Sequence, residues 1–466
     1  MTVNDFIDRL AACGDAVALV AEAEIYRTCD QVCDVTTYAE LLEAAQSWLA
    51  WTALVLTDLW THYGGVAFWG DDTCDSGMIA NLVGAMQNHE ITCMDERLLR
   101  KNIKDHPHVA ELRWRNHPGL ILATSGTSGE PKAVVHDLRT LIDQACERPG
   151  KAYRTLMMLN ADHIGGINTI LHTLAHGGTL VVPTRRDPLV IADVIERYEI
   201  ELLPTTPTFL RLMLASGEHL KRDMTSLKVI SYGAEPMPAE LLGRIADAFP
   251  GVKLKQTYGM SEVGILRTKS MGNRETWVRI HTPYRVVHYV DLVTPHPTTG
   301  VLIPVGKSTK LTLLTGKGTG FLEVKAPTAM LGYIGAPDPF TADGWMPTGD
   351  EVEVKRENGV EWIRFLGRKS DTINVGGAKV YPMEVEEVIC QVHGVVDAAV
   401  YAEPDSLVGE IVCAKVQWNG TGNQGLAKRA IRRHCRETLD KHKVPIRITF
   451  TDEPLHDGRG KKQRVR

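Results

Sequence analysis

The sequence lacks any C-x-x-C pair, and its nine cysteines, an odd number, are scattered from Cys13 to Cys435. That distribution argues against a disulfide framework or a zinc ribbon, and reduced thiols are the expectation. Cys29 and Cys33 would share one face of a helix, but no histidine stands near them to complete a metal site. No segment reaches the roughly 20 apolar residues needed to span a bilayer. The N-terminal stretch carries Asp5, Asp8 and Asp15 among its apolar residues, so it lacks the basic head and unbroken apolar run of a signal peptide. A cytoplasmic chain with no membrane partner is expected. Charge of one sign is missing as well, since 52 Lys and Arg stand against 57 Asp and Glu, and nothing asks for nucleic acid. Only the end, Gly458 to Arg466, is basic.

A Walker loop is also absent. The run Gly300 to Ser308 ends in Gly306-Lys307-Ser308, but five residues rather than four separate its two glycines. Gly316, Gly318 and Gly320 lack dinucleotide-binding spacing and read as a turn region.

What is present is ordinary for a folded chain: 44% apolar and 23% charged residues over 466 positions, enough for two or three compact units. Residues before about 115 give mixed signals, with one helical stretch from Tyr38 to Leu49. From Gly119 the pattern alternates. Strands are expected at Leu120 to Thr124, Thr155 to Leu159, Thr179 to Val182, Leu227 to Tyr232 and Val252 to Tyr258. Helices are expected at Leu138 to Cys146, Ile164 to His176, Leu189 to Tyr198, Thr208 to Leu214 and Ala239 to Phe249. Such alternation predicts an α/β fold with mostly parallel, helix-covered sheets. Ligand loops then fall beyond the carboxyl ends of the strands, at Thr124, Gly233 and Tyr258. A smaller β-rich unit is expected from about Gly300 to Phe365. A final α+β segment follows, with strands Val395 to Ala402, Ile411 to Gln417 and Arg447 to Phe450 around helix Leu426 to Thr438.

The loop Thr124-Ser125-Gly126-Thr127-Ser128-Gly129-Glu-Pro-Lys132 gathers glycines and hydroxyls beside one lysine. Backbone N–H groups and hydroxyl donors of this kind wrap phosphate. The loop opens into Ala133-Val-Val-His136, which reads as a strand, whereas a Walker loop opens into a helix.

In this loop and five further motifs the sequence resembles the adenylate-forming superfamily of acyl-CoA synthetases, peptide-synthetase adenylation domains and luciferase. The resemblance covers about residues 119 to 466. The motifs are Thr124 to Lys132, Tyr232-Gly-Ala-Glu-Pro236, Tyr258-Gly-Met-Ser-Glu262, Thr348-Gly-Asp350, Gly367-Arg-Lys-Ser-Asp371 continuing to Glu384, and Gly460-Lys461-Lys-Gln-Arg464. Their order matches the family's.

The resemblance implies an adenylation domain over 1–369 and a mobile C-terminal domain over 370–466. It implies ATP and Mg²⁺ as cofactors, with Glu262 holding the ion and Lys461 swung onto the reacting carboxylate and α-phosphate. Gly233, Ala234, Glu235, Tyr258, Gly259, Met260 and Ser261 would frame the adenylate. Asp350 would accept the ribose hydroxyls, with Arg368 as a donor beside ribose or phosphate. His163 falls where the family places a gate to the acceptor tunnel; its other reading is a structural histidine. Ser370 stands at the hinge where aspartate or lysine is usual, and Ser261 replaces the commoner threonine. Gly376 and Gly377 would line the path of a pantetheine thiol, implying CoA or an acyl carrier protein's phosphopantetheine as acceptor; plain turns are the alternative. An amine acceptor, an oxyanion such as nitrite as substrate, and a nucleotide-binding regulator without turnover are the rival readings.

Overall fold

The computed structural model describes residues 3–14, 16–22, 33–37, 66–68, 91–93, 106–124, 132–147, 150–288, 293–295, 302–304, 312–313, 317–419 and 423–453, with isolated positions such as 82, 83, 86, 103, 456, 462 and 464. The helix expected from Tyr38 to Leu49 lies outside the described residues except at Ala39 and Glu43. Contacts divide the chain into two compact units.

The first unit comprises residues 1–234, 245–267 and 326–339. Its larger sheet runs Lys253–Gln256, Val229–Tyr232, Leu202–Thr205, Arg154–Leu156, Thr179–Val182, Val17–Glu22, Cys33–Thr37. All neighbours are parallel except the last pair, as the strand and helix alternation predicts. The helices begin where side-chain caps and proline agree. Asp187 accepts from the N–H of Val190 ahead of Pro188, and Thr206 accepts from Phe209 ahead of Pro207. Helix Ile164–Ala175 is apolar nearly all round, which suits burial on more than one side. It shares one core with Phe6 and Leu10 of helix Val3–Cys13, Leu138 and Ile142 of helix Leu138–Glu147, Leu120 and Leu122 of strand Gly119–Thr124, and Leu180 and Val182.

A second sheet in this unit orders Gly332–Ile334, Lys132–Asp137, Gly119–Thr124, Ile91–Cys93 and Val66–Phe68. Gly119–Thr124 and Lys132–Asp137 are antiparallel, with Thr124 opposite Lys132. Thr124 and Lys132, which flank the loop 125–131, therefore stand opposite each other at the ends of paired strands.

The strand expected from Val252 to Tyr258 is broken. It stops at Gln256: the Thr257 N–H makes the last parallel-ladder bond, to the Tyr232 carbonyl at 2.8 Å, and its Oγ1 adds a second at 3.1 Å. Tyr258–Met260 then pairs back on Gly264–Leu266, which leaves Glu262 in the turn between them.

The second unit holds residues 235–244, 268–325 and 340–466. A seven-stranded antiparallel sheet orders Thr268–Ser270, Val278–Ile280, Val360–Arg368, Met346–Glu357, Gly318–Val324, Tyr284–His288 and Thr312–Leu313. The β-rich part thus begins near 268 rather than 300. Gly318 and Gly320 lie inside a strand instead of the expected turn, opposite Val354 and Val352.

The C-terminal α+β segment follows its expected pattern. Val395–Asp405 pairs antiparallel with Gly409–Trp418, to which Arg447–Thr451 adds in parallel. Helices Pro382–Cys390 and Gln424–Thr438 bury Val385, Ile389, Ile431 and Cys435 against Val400, Val412 and Val416. Among the described residues no helix is long and apolar enough to cross a membrane.

Candidate active site

Ser125, Gly126, Thr127, Ser128 and Gly129 of the phosphate loop lie outside the described residues, but both flanks are defined. Thr124 ends one strand and Lys132 begins the next. Lys132 extends its Nζ over the Tyr333 ring, 5.3 Å from the centroid. Tyr333 reaches this place because Gly332–Ile334 pairs antiparallel with Lys132–Asp137, setting Tyr333 opposite Val134.

Glu262 is held by its surroundings at four points. The His136 Nε2–H donates to the Ser261 carbonyl at 2.5 Å, and the Met330 N–H to the Glu262 carbonyl at 2.8 Å. Thr328 Oγ1 donates to the Val263 carbonyl at 2.7 Å, and the Tyr333 hydroxyl to Glu262 Oε1 at 2.6 Å. His136 is wholly buried, and burial lowers its pKa to about 4 against the weaker opposing pull of its backbone partners and Asp137. It is therefore a neutral donor at physiological pH. Burial, then the neighbouring Glu262, raises the Tyr333 phenol, which keeps its proton for the carboxylate.

Neither Lys132 nor Glu262 makes an ion pair among the described residues, and Glu262 is only half-buried. A half-exposed carboxylate with one hydrogen bond and no cation beside it fits a hard divalent ion whose remaining ligands are phosphate oxygens and water. Among the described residues, no group of three or more His, Cys, Asp or Glu forms a self-contained metal site.

The segment Gly233 to Glu235 follows strand Val229–Tyr232. A Cβ on Gly233 would stand 2.4 Å from Thr257 Oγ1 and 2.9 Å from the Thr257 carbonyl oxygen, so only glycine permits this approach of the two loops. Ala234 adopts φ 65°, a left-handed conformation that a residue with a Cβ pays for, as strained loops at ligand sites often do. Tyr258, Gly259 and Met260 form the first strand of the hairpin, and Ser261 its turn with Glu262. His163 caps helix Ile164–Ala175, its Nδ1 accepting from the Gly165 N–H at 3.1 Å. That bond fixes the ring whatever else it does.

The second unit carries the remaining candidates. Asp350 and Arg368 face each other across adjacent strands, and Arg368 Nε donates to Asp350 Oδ1 at 3.0 Å. Asp350 is buried, and its N–H donates to Thr348 Oγ1. The sequence motifs gave these two residues separate contacts, whereas here the arginine orients the carboxylate itself. Ser370 donates from Oγ to Asp371 Oδ1 at 2.7 Å, next to Lys369, whose N–H reaches the Gly349 carbonyl. Gly376 and Gly377, at φ 58° and 89°, form the tight turn between Ile373–Val375 and Ala378–Val380. Two successive positive φ values are what a two-residue hairpin turn demands, and they explain both glycines without a thiol.

Lys461 lies outside the described residues, but its neighbours are anchored. Arg464 clasps buried Glu386 through Nε and NH2, at 2.8 and 3.0 Å, and reaches Asp371 at 3.2 Å. Lys462 Nζ reaches Asp397 Oδ1 at 2.8 Å and the Ala398 carbonyl at 2.9 Å. Burial alone would raise the Glu386 carboxyl, but Lys462 and Arg464 outweigh it and lower its pKa. Glu235 adds to the negative field that, against burial, raises Arg464.

His136, Tyr333 and Thr328 were not singled out from the sequence. His136 had a visible signal, a histidine in a mostly apolar strand begun by Lys132; Tyr333 had none, because the carboxylate its hydroxyl meets is 71 residues away.

The model of the AMP-binding enzyme family matches residues 13–334, and that of the AMP-binding enzyme C-terminal domain matches residues 384–461. A putative acyl-CoA ligase, YdaB of Bacillus subtilis (strain 168), is 28% identical over 378 residues, covering 77% of this chain and 68% of its own. FadD10 of Mycobacterium tuberculosis (strain CDC 1551 / Oshkosh), a medium/long-chain fatty-acid ligase for acyl carrier protein, is 29% identical over 357 residues, 72% of this chain and 64% of its own. Two other curated relatives are matched over only 52% and 53% of their length, so the chain spans about half to two thirds of such proteins. Among solved structures, the amide bond synthetase McbA from Marinactinospora thermotolerans has a TM-score of 0.69 at 20% identity, over 100% of this chain and 98% of that one. That likeness speaks for the fold.

Proposed function

Since the chain belongs to the AMP-binding enzyme family of the adenylate-forming superfamily, we propose that it activates a carboxylic acid with ATP and passes the acyl group to a thiol. In the first step a carboxylate oxygen bonds to the α-phosphorus of ATP as the bond to pyrophosphate breaks, giving acyl-AMP. In the second a thiolate attacks the acyl carbon and AMP leaves. The observation that carries this reading is the pair Lys132 and Glu262, opposite charges on adjoining elements that leave each other unpaired and so remain available to a nucleotide.

Lys132 and the loop Thr124 to Gly129 would hold the β- and γ-phosphates. Glu262 would hold Mg²⁺, which when bound neutralises phosphate charge. Gly233 to Glu235 and Tyr258 to Ser261 would frame the adenine, and Asp350, oriented by Arg368, would accept the ribose hydroxyls. Lys461 would offset charge on the reacting oxygens. In this reading residues 370–466 turn about Ser370 between the steps, Gly376 and Gly377 move to the acceptor path, and His163 gates it.

The acceptor is CoA or a carrier protein's phosphopantetheine, as in the names of YdaB and FadD10. An amine is the second reading, favoured by the hairpin turn that accounts for Gly376 and Gly377 without a thiol path.

Supplying CoA, a phosphopantetheinylated carrier protein or an amine and following AMP release separates these acceptors. Lys461→Ala is expected to slow pyrophosphate release by about a hundredfold or more while leaving transfer from preformed acyl-AMP unchanged. Equal adenylation rates in variant and wild type would refute the role of Lys461.

A further inference from the structure

Tyr333 touches two groups of opposite charge. Its ring face lies under the Lys132 ammonium, 5.3 Å away, and its hydroxyl donates to Glu262 Oε1 at 2.6 Å. Lys132 leads one strand and Glu262 lies in the turn of a separate hairpin, and Tyr333, on a third strand, touches both. The phenol is buried, and its own N–H is fixed to Asp338 Oδ1 at 2.8 Å, which limits where the ring can go.

We infer that Tyr333 is a positioning residue that keeps the phosphate-loop lysine and the candidate metal carboxylate apart, so that both charges stay available to the two components of a metal–triphosphate. The inference rests on the adenylation reading above. A hydrogen bond from a buried phenol to a carboxylate is stronger than an exposed lysine–glutamate pair, so the tyrosine-held arrangement wins in the free protein. The ring face adds a weaker cation–π hold on Lys132, which a phosphate can readily replace. Without the ring, Lys132 and Glu262 would be free to pair directly, and a ligand would first have to part them.

Two variants separate the functions of the hydroxyl and the ring. Tyr333→Phe keeps the face under Lys132 and frees Glu262; Tyr333→Leu removes both holds. The probe is Mn²⁺ binding in the presence of ATP, read by electron paramagnetic resonance on the full chain without any acid, alongside AMP affinity measured calorimetrically in chelator. Tyr333→Phe is expected to weaken Mn²⁺ binding about tenfold, the worth of a charge-assisted hydrogen bond, with ATP affinity in chelator unchanged. Tyr333→Leu is expected to weaken both Mn²⁺ and metal-free ATP, with AMP affinity unchanged because AMP lacks the β- and γ-phosphates.

Wild-type Mn²⁺ binding in Tyr333→Phe overturns the inference. A parallel loss of AMP affinity in either variant also overturns it, because it marks a merely structural residue. Glu262→Gln in the same titration distinguishes two failures: if it leaves Mn²⁺ binding intact, the assignment of the metal to Glu262 falls and the inference with it. If it weakens Mn²⁺ while Tyr333→Phe does not, the inference alone falls.

Discussion

At the scale of single residues, the site is set by neutral groups that fix charged ones. The Tyr333 hydrogen bond to Glu262 is worth about 1.5–3 kcal/mol, against about 1 kcal/mol at most for an exposed lysine–glutamate pair. That difference explains why Glu262 is found on the phenol. His136 acts in the same way on the Ser261 carbonyl, and its burial has a consequence for stability. Its folded pKa of about 4 lies below the unfolded value of 6.5, so protonation favours unfolding. Its contribution is complete above pH 6.5 and is lost as pH falls from there towards 4, by about 3 kcal/mol in all. Urea midpoints at pH 7 and pH 5 should therefore fall with acid in the wild type and fall less in His136→Gln. Equal slopes in both proteins would remove His136 as the cause.

At the scale of elements, the close passage of the loop after strand Val229–Tyr232 past Thr257 constrains the segment proposed to frame the adenine. Gly233→Ala would drive a methyl group to 2.4 Å from Thr257 Oγ1 and 2.9 Å from its backbone. Since backbone cannot yield as a flexible side chain does, the expected cost is about 1–3 kcal/mol, with a loss of AMP affinity greater than the loss of stability. Calorimetric AMP titration and urea unfolding of the variant check both parts.

The elements themselves were largely legible. Strand Thr179–Val182 announces itself as a short β-branched apolar run after two glycines, helix Leu138–Glu147 by its 3.6-residue pattern, and caps such as Asp187 before Pro188 fix the starts. The break after Thr257 was not legible, because Tyr258–Met260 is a three-residue strand taken up by pairing with Gly264–Leu266. The β-rich sheet was placed too late for a similar reason: Thr268–Ser270 and Val278–Ile280 are three-residue strands with no period of their own, recruited by Val360–Arg368. Motif residues could be read from the sequence individually. The pairing of Arg368 with Asp350, and the tether from Tyr333 to Glu262, come only from strand register.

At the scale of the whole molecule, a charge network in the C-terminal segment holds Lys462 and Arg464. Glu386 and Asp397 are almost wholly buried and are met by Lys462 and Arg464, so four charges are removed from water together. Removing one member would strand a buried charge at a cost of about 3–5 kcal/mol, so Lys462 and Arg464 belong to the fold. His456 pairs with Lys462 by an isolated antiparallel bridge, tying down the other side of the same loop. Lys462 and Arg464, in the basic end of the chain, are thus bound to acidic partners of the fold. Lys379 also holds both oxygens of Glu351, at 3.2 Å each, next to Asp350, and any turn about Ser370 has to exchange such contacts for others.

The central claim is that this chain cleaves ATP between its α- and β-phosphates in the presence of an acid. The most direct test follows ATP labelled at the α-phosphate or at the γ-phosphate across a panel of aromatic, aliphatic and amino acids, with nitrite included. The account predicts acid-dependent α-label in AMP or acyl-AMP and γ-label in pyrophosphate. Label in ADP and orthophosphate, or ATP bound without turnover for every member of the panel, would contradict it.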